Sequence, residues 1–147
     1  MESALLWRLF LAVLQAGERH GAGEALLRCF EFWLLRIGGV LPDYGSCSHC
    51  GRCVKDDEFY ARAENGVGRC RDCAGGRGIH VRPAAAKLLG KLLKESPEKF
   101  IGSVRDQENL RDLEILAQRL LGLHIEKPIK SYREYRKVSA AGGASAE

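Results

Sequence analysis

A chain of 147 residues is long enough for one ordinary domain, so we expect one core with an appendage. Hydrophobic residues make up 46% of it and charged residues 29%, which excludes an intrinsically disordered protein, and no apolar run reaches membrane length. The net charge of +4 permits contact with nucleic acid without requiring it.

The first predicted element is a helix over residues 3 to 16, with Gly17 as its left-handed cap. Its apolar residues recur at helical spacing: Leu5, Leu6, Leu9, Phe10 and Val13. The stretch lacks a basic start and a small-residue cleavage site, so we interpret it as part of the fold and not as an export signal.

The second predicted helix follows a glycine break at residues 21 to 23 and ends at Gly38 and Gly39. Its apolar stripe consists of Leu26, Phe30, Trp33, Leu34 and Ile37. Its charged companions are Glu24, Arg28, Glu31 and Arg36. Separation of the two sets is typical of a helix with one face against a core.

Residues 44 to 82, here called the finger segment, are rich in cysteine, glycine and charge and have no long apolar period. Such a segment cannot bury a core alone and needs a covalent or metal staple. Strand character at residues 58 to 62 and a turn at residues 64 to 66 predict a short hairpin within it.

Helical periodicity returns after the finger segment. It predicts helices over residues 83 to 95, residues 97 to 101 after an N-cap at Ser96, and residues 106 to 123. The last of these has an apolar face formed by Leu110, Leu113, Leu116, Ala117, Leu120 and Leu121. The fold class is therefore mainly α, a small helical bundle with an inserted four-cysteine zinc finger that contains a short β-hairpin.

This pattern predicts four parts. Residues 1 to 43 form the first part of a helical domain, residues 44 to 82 are the zinc-finger insertion, and residues 83 to 137 complete the helical domain. Residues 138 to 147 contain no large apolar side chain and are expected to be a disordered tail.

Two CxxC pairs, Cys47 with Cys50 and Cys70 with Cys73, are separated by nineteen residues, a spacing typical of four-thiolate zinc sites. Without an export signal the chain is expected in a reducing cytosol, where free thiols or metal binding are favoured over disulfides. Four protein ligands leave no open position for water or substrate. We therefore predict one structural zinc ion.

Other interpretations of these residues remain open at this point. The pairs could be redox-active thiols or bind iron, and Cys53 extends the first pair into CxxCxxC as an alternative ligand. His49 and His80 lie nearby, and we expect His49 to be exposed. Cys29 is most simply a small buried apolar residue.

Five basic residues follow the last predicted helix, Lys127, Lys130, Arg133, Arg136 and Lys137, and the first four are the candidate DNA contacts. Tyr132 and Tyr135 are interleaved with them, a pattern that suits phosphate contact and base stacking. A solvated helix end is the alternative. No nucleophile, base and orienting acid are arranged as a catalytic set, and no phosphate-binding loop is present, so we predict no enzymatic activity.

Four motifs together resemble the C-terminal part of the bacterial DNA repair protein RecO family. Residues 28 to 42 are similar to its phenylalanine-glutamate helix with the glycine and proline that follow, and residues 47 to 51 are similar to the first half of its finger. Residues 59 to 73 follow the aromatic, acidic, glycine-rich and CxxC order of the second half, and residues 123 to 131 resemble the closing motif. The similarity covers about residues 3 to 135.

The resemblance implies a non-enzymatic mediator of DNA repair and homologous recombination in the bacterial cytoplasm, associated with the nucleoid. It implies binding of single- and double-stranded DNA, strand annealing, and work with RecR to load RecA onto strands coated by single-strand DNA-binding protein. It implies neither a membrane nor a small-molecule substrate. Family members begin with an OB-type β-barrel, which the residues before position 3 are too few to form.

Two other functional classes remain open from the residues themselves. The chain could be a zinc-ribbon module that binds proteins and not DNA, or a thiol redox protein.

Overall fold

The computed structural model describes residues 2–21, 23–104 and 107–142, with side chains described for residues 4–21, 23–104 and 107–124. In chain order its elements are α1 (Glu2–His20), α2 (Glu24–Ile37), β1 (Phe59–Ala61), β2 (Gly68–Arg69), α3 (Arg71–Ala74), β3 (Ile79–Val81), α4 (Pro83–Lys94), α5 (Pro97–Ser103) and α6 (Gln107–Gly142). The predicted fold class is confirmed: the protein is mostly helical, with a small sheet and a cluster of four cysteines. Within the described ranges, no helix combines the length and apolar character that a membrane crossing requires.

The three strands form one antiparallel sheet in the order β2-β1-β3. The predicted hairpin corresponds to β1 and β2, in which Tyr60 pairs with Arg69. On the other side of β1, Tyr60 pairs with His80 of β3. Sequence analysis missed β3, because three residues are too few to show an alternating pattern.

Helices α2, α4 and α5 begin and end close to their predicted bounds. Pro83 opens α4, where its missing N–H leaves no hydrogen bond unmade. Ser96 caps α5 as predicted, because its hydroxyl accepts a hydrogen bond from the Lys99 N–H at 3.3 Å.

Helices α1 and α6 are longer than predicted. Gly17 lies inside α1, and the left-handed residue that follows the helix is Gly21, with φ +82° and its N–H donating to the Gly17 carbonyl at 2.8 Å. The backbone of α6 continues past residue 123 to Gly142, through a region rich in the helix formers Glu, Lys, Arg and Ala. It thus includes residues 138 to 142 of the expected disordered tail, and residues 143 to 147 lie outside the described residues.

One hydrophobic core joins the helices and the finger segment. The apolar face of α6 is buried as predicted through Leu110, Leu113, Leu116, Ala117 and Leu120, while Leu121 is half-buried. The same cluster of buried residues contains Phe32 of α2, Leu89 of α4 and, from the finger segment, Phe59, Val81 and Cys70. The finger segment therefore contributes side chains to the core of the helical domain and is not a separate appendage.

The predicted core faces of α1 and α2 are partly wrong. Among the described side chains of α1, only Leu9 and Ala16 are buried, whereas the predicted apolar residues Leu5, Leu6 and Phe10 are exposed by 39 to 47%. On α2 the fully buried apolar side chains lie one position off the predicted stripe, at Cys29, Phe32 and Leu35. Helical spacing tells which residues share a face, but not which part of a wide apolar face the neighbouring elements cover.

Arg28, grouped with the charged companions of the α2 stripe, is instead buried with a relative exposure of 3%. Its guanidinium lies 2.7 Å from Glu31, 3.4 Å from Glu24 and 3.6 Å from Glu114 of α6. Burial raises the pKa of Glu31, against the lowering effect of Arg28. This ion-pair cluster links α2 to α6, because a charge this deep requires partners.

We expect Arg28→Met to destabilise the protein by about 3 kcal/mol or more at neutral pH, because it leaves the half-buried Glu31 carboxylate without its cation. The folded-state pKa of Glu31 lies above its unfolded value, so protonation of Glu31 favours folding, and that favourable contribution is lost as the pH rises. The deficit of the variant should therefore shrink between about pH 8 and pH 5, as measured by urea denaturation. Adding Glu31→Gln should restore part of the stability, and an equal deficit at both pH values would contradict this account.

Candidate metal centre

The structure brings the four predicted cysteines together in the finger segment. The Sγ atoms of Cys47, Cys50, Cys70 and Cys73 all lie within 4.8 Å of one another, and those of Cys50 and Cys70 are 3.9 Å apart. A tetrahedral zinc site with bonds of about 2.3 Å separates its sulfurs by roughly 3.8 Å. The sulfur positions therefore fit a four-thiolate metal site.

The first CxxC pair lies in a turn stabilised by backbone hydrogen bonds. The Gly51 N–H donates to the Cys47 carbonyl at 2.9 Å, and the Cys47 N–H donates to the Arg52 carbonyl at 2.8 Å. Gly51 adopts φ +79°, a left-handed conformation that glycine adopts without a steric penalty. This turn directs both sulfurs to the same side of the chain.

The second pair is positioned by β2 and the short helix α3. Cys70 directly precedes α3, and Cys73 lies within it. The helix ends at Gly75, whose φ of +60° is also left-handed and whose N–H donates to the Arg71 carbonyl.

The electrostatics of the cluster favour a cation. Burial opposes ionisation of Cys47, but hydrogen bonds from the backbone of Cys50, Cys70 and His49 lower its thiol pKa to about 6. Hydrogen bonding to the Cys70 sulfur, together with burial and the Cys47 charge, raises the pKa of Cys73 to about 12. The crowded sulfurs alone thus resist a second negative charge, which a bound dication would compensate.

The other sequence candidates lie outside this cluster. Cys53 is exposed and pairs with Ser46 in an isolated β-bridge, while the His49 ring is exposed as predicted. His80 lies 2.6 Å from a Glu58 oxygen and stacks on Tyr60. Cys29 is fully buried in the core, which raises the pKa of its thiol to about 12.

Three contacts fix the finger segment to α6. At its exit, the Arg82 guanidinium donates to the Asp112 carboxylate at 2.9 and 3.2 Å. At the hairpin, Arg119 donates to the Ala63 carbonyl at 2.8 Å. At the hairpin tip, Gly66 is packed so tightly against Leu120 that an added Cβ would lie 2.4 Å from the leucine side chain.

The predicted DNA-contact residues Lys127, Lys130, Arg133 and Arg136 belong to the backbone range of α6, but their side chains lie outside the described residues. One candidate site was missed by sequence analysis. A cavity of about 570 Å³ lies between α4 and the loops before β1, with lysines at its rim. Only the repeated Lys87, Lys91 and Lys94 signalled it in the sequence, and they read equally well as a solvated helix face.

The chain is similar in sequence to DNA repair proteins named RecO from several bacteria. The chain is 31% identical over 136 residues to the DNA repair protein RecO of Pelobacter propionicus, covering 91% of this chain and 53% of that protein. It is 28% identical over 128 residues to the RecO of Koribacter versatilis, with coverage of 84% and 50%. It is 34% identical over 89 residues to the RecO of an Anaeromyxobacter species, with coverage of 60% and 35%. The chain therefore spans at most about half the length of these relatives.

No solved structure matches the chain significantly. The family model described as "Recombination protein O C terminal" matches residues 3–133, nearly the whole chain and the range over which the four motifs were recognised. The chain therefore belongs to the recombination protein O family.

Proposed function

We propose that this chain is a non-enzymatic, DNA-binding mediator of recombinational repair whose finger segment is held by one structural zinc ion. The observation that carries the proposal is the family match over residues 3–133, which contains both CxxC pairs. The sulfur spacing supports zinc as the metal, because it fits tetrahedral coordination by four thiolates. Four protein ligands would leave no position for substrate, so the role of the zinc would be structural. Residues 44 to 82 would then act as a rigid insertion in the helical domain formed by residues 1 to 43 and 83 to 137.

By the same proposal, the chain works on single- and double-stranded DNA in the bacterial cytoplasm, at the nucleoid. Its partners are RecR and single-strand DNA-binding protein, and its role is strand annealing and the loading of RecA. These assignments extend from the family to a chain that spans about half the length of relatives such as that of Pelobacter propionicus.

We propose Lys127, Lys130, Arg133 and Arg136 as DNA contacts that are independent of sequence. Replacing the last three with Gln should make the dependence of binding on salt less steep by about 2 in log–log slope, because each phosphate contact with a single strand releases roughly 0.7 counterions. The measurement is fluorescence anisotropy of a labelled oligonucleotide across a salt titration.

A matched control replaces three exposed cations from other surfaces, Arg8, Lys99 and Arg111, with Gln, and should leave the slope unchanged. An unchanged slope in the α6 variant would place the contacts elsewhere. Absence of DNA binding by the zinc-loaded wild-type chain would instead favour a zinc-ribbon module that binds proteins.

A further inference from the structure

The cleft beside the finger segment has two unlike walls. One wall is α4, and the other consists of the loops at residues 41 to 45 and 55 to 56. The volume of about 570 Å³ is within the range of ligand-binding cavities. The apolar part of the lining, here called the floor, comes from both walls and includes Leu41, Leu89 and Leu93.

The α4 wall is cationic. Lys87, Lys91 and Lys94 line the cleft and are exposed, and among the described residues none of them has a carboxylate within 4.0 Å. Successive lysines are separated along the helix by about 6 and 4.5 Å, given a rise of 1.5 Å per residue. The Lys91 ammonium also donates to the Ser103 hydroxyl at 3.5 Å. A row of exposed cations at this spacing is suited to successive phosphates of a nucleic-acid strand.

The opposite wall carries hydrogen-bond acceptors. Asp43 and Asp56 are exposed there beside Lys55. One Asp43 oxygen accepts a hydrogen bond from the Gly45 N–H, and the other has no hydrogen-bond partner among the residues that the structure describes. Carboxylates of this kind accept hydrogen bonds from the exocyclic amino group of cytosine. These two groups and Glu95 at the end of the cleft would repel phosphates, so the backbone of a bound strand would lie against α4 and its bases would face the carboxylates.

We propose that this cleft binds a short stretch of single-stranded DNA, with phosphates along α4 and unpaired bases on the apolar floor facing Asp43 and Asp56. This inference rests on the proposed function and deepens it by assigning a strand-binding site. A duplex keeps its bases stacked and cannot place them on the floor, so the cleft should prefer single strands.

The test compares zinc-loaded wild-type protein with Lys87→Gln/Lys91→Gln/Lys94→Gln and with the matched Arg8/Lys99/Arg111 variant. The probes are labelled oligodeoxycytidylate, oligodeoxythymidylate and a duplex, each of about 20 nucleotides. We expect the α4 variant to bind the cytidylate at least about tenfold more weakly and with a shallower salt slope, while the control variant binds normally. Wild-type protein should bind cytidylate more tightly than thymidylate, and Asp43→Asn/Asp56→Asn should reduce that difference.

A second variant fills the cleft without removing charge. Gly90 lies on α4 within the cleft, and an added Cβ would be in ordinary van der Waals contact with Asp56 Oδ1 at 3.7 Å, so a larger side chain would enter the cleft beside Asp56. Gly90→Leu should fold at least as stably, because leucine favours a helix more than glycine does, yet lose single-strand binding.

The outcomes distinguish failure of the proposed DNA-binding function from failure of the assignment of this cleft as the strand-binding site. No DNA binding by the wild-type chain would refute the proposed function. Normal DNA binding by both Gly90→Leu and the α4 triple variant would overturn the cleft assignment alone. Tighter binding of an Asp- and Leu-containing peptide than of either oligonucleotide would also overturn it and would make the cleft a protein-docking site.

Discussion

Removal of zinc by a chelator is expected to unfold the finger segment and to lower the melting temperature of the whole chain. Cys47 and Cys70 belong to the same buried cluster as Phe59 and Val81, so a metal ion bound by these cysteines would be coupled to the core. If zinc contributes about 5 kcal/mol, well below values for isolated zinc fingers, a chain of this size should lose on the order of 15 °C. Calorimetry with and without chelator measures the shift, and elemental analysis of gently purified protein should give one zinc per chain.

Single cysteine substitutions separate the ligands from their neighbours. Cys70→Ser should reproduce the effect of the chelator, because serine is a poor zinc ligand at this four-thiolate site. Cys53→Ser should keep the metal and the melting temperature, since its side chain is exposed and outside the sulfur cluster. Loss of zinc from Cys53→Ser alone would show that the ligand assignment is wrong.

The second large effect is expected at Gly78, just before β3. Its φ is +100°, and an added Cβ would lie 2.5 Å from the Ala61 carbonyl oxygen of the neighbouring strand. Gly78→Ala therefore combines a backbone conformation unfavourable for alanine with a clash against backbone, and we expect a loss of about 4 kcal/mol. Urea denaturation of the zinc-loaded protein measures this loss.

Gly76→Ala provides the matched control. Gly76 has a similar left-handed φ of +76°, but nothing lies within 4 Å of an added Cβ. Only the conformational penalty remains, which predicts a loss of about 1 kcal/mol. Equal losses at Gly76 and Gly78 would mean that the strand moves aside and that the close approach to Ala61 contributes nothing.

The sequence was most informative where chemistry imposes a fixed spacing. Two CxxC turns must each place two sulfurs on one ion, so the clustering of Cys47, Cys50, Cys70 and Cys73 was predictable. The buried row of α6 was also predictable, because a narrow apolar face has only one side to bury.

Features that depend on tertiary neighbours were not predictable. Gly78 lies in a glycine-rich stretch of the sequence with no local signal of a packing role, and its close approach to Ala61 exists only once β3 pairs with β1. Arg28 read as a charged companion of an apolar stripe, and its burial depends on Glu114 from a helix more than eighty residues away in the chain. The cleft likewise depends on how the finger segment packs beside α4, which no local pattern encodes.

The close packing of the hairpin tip against α6 also bears on the rate at which a strand can bind to the cleft. Gly66 on Leu120, Arg119 on Ala63 and Arg82 on Asp112 hold the finger segment at three separate points, so it cannot swing as a hinge. The cleft is then open before any strand arrives, and little ordering entropy is lost on binding. Association should therefore follow a single bimolecular phase whose rate falls with salt, with no slow opening step in stopped-flow traces.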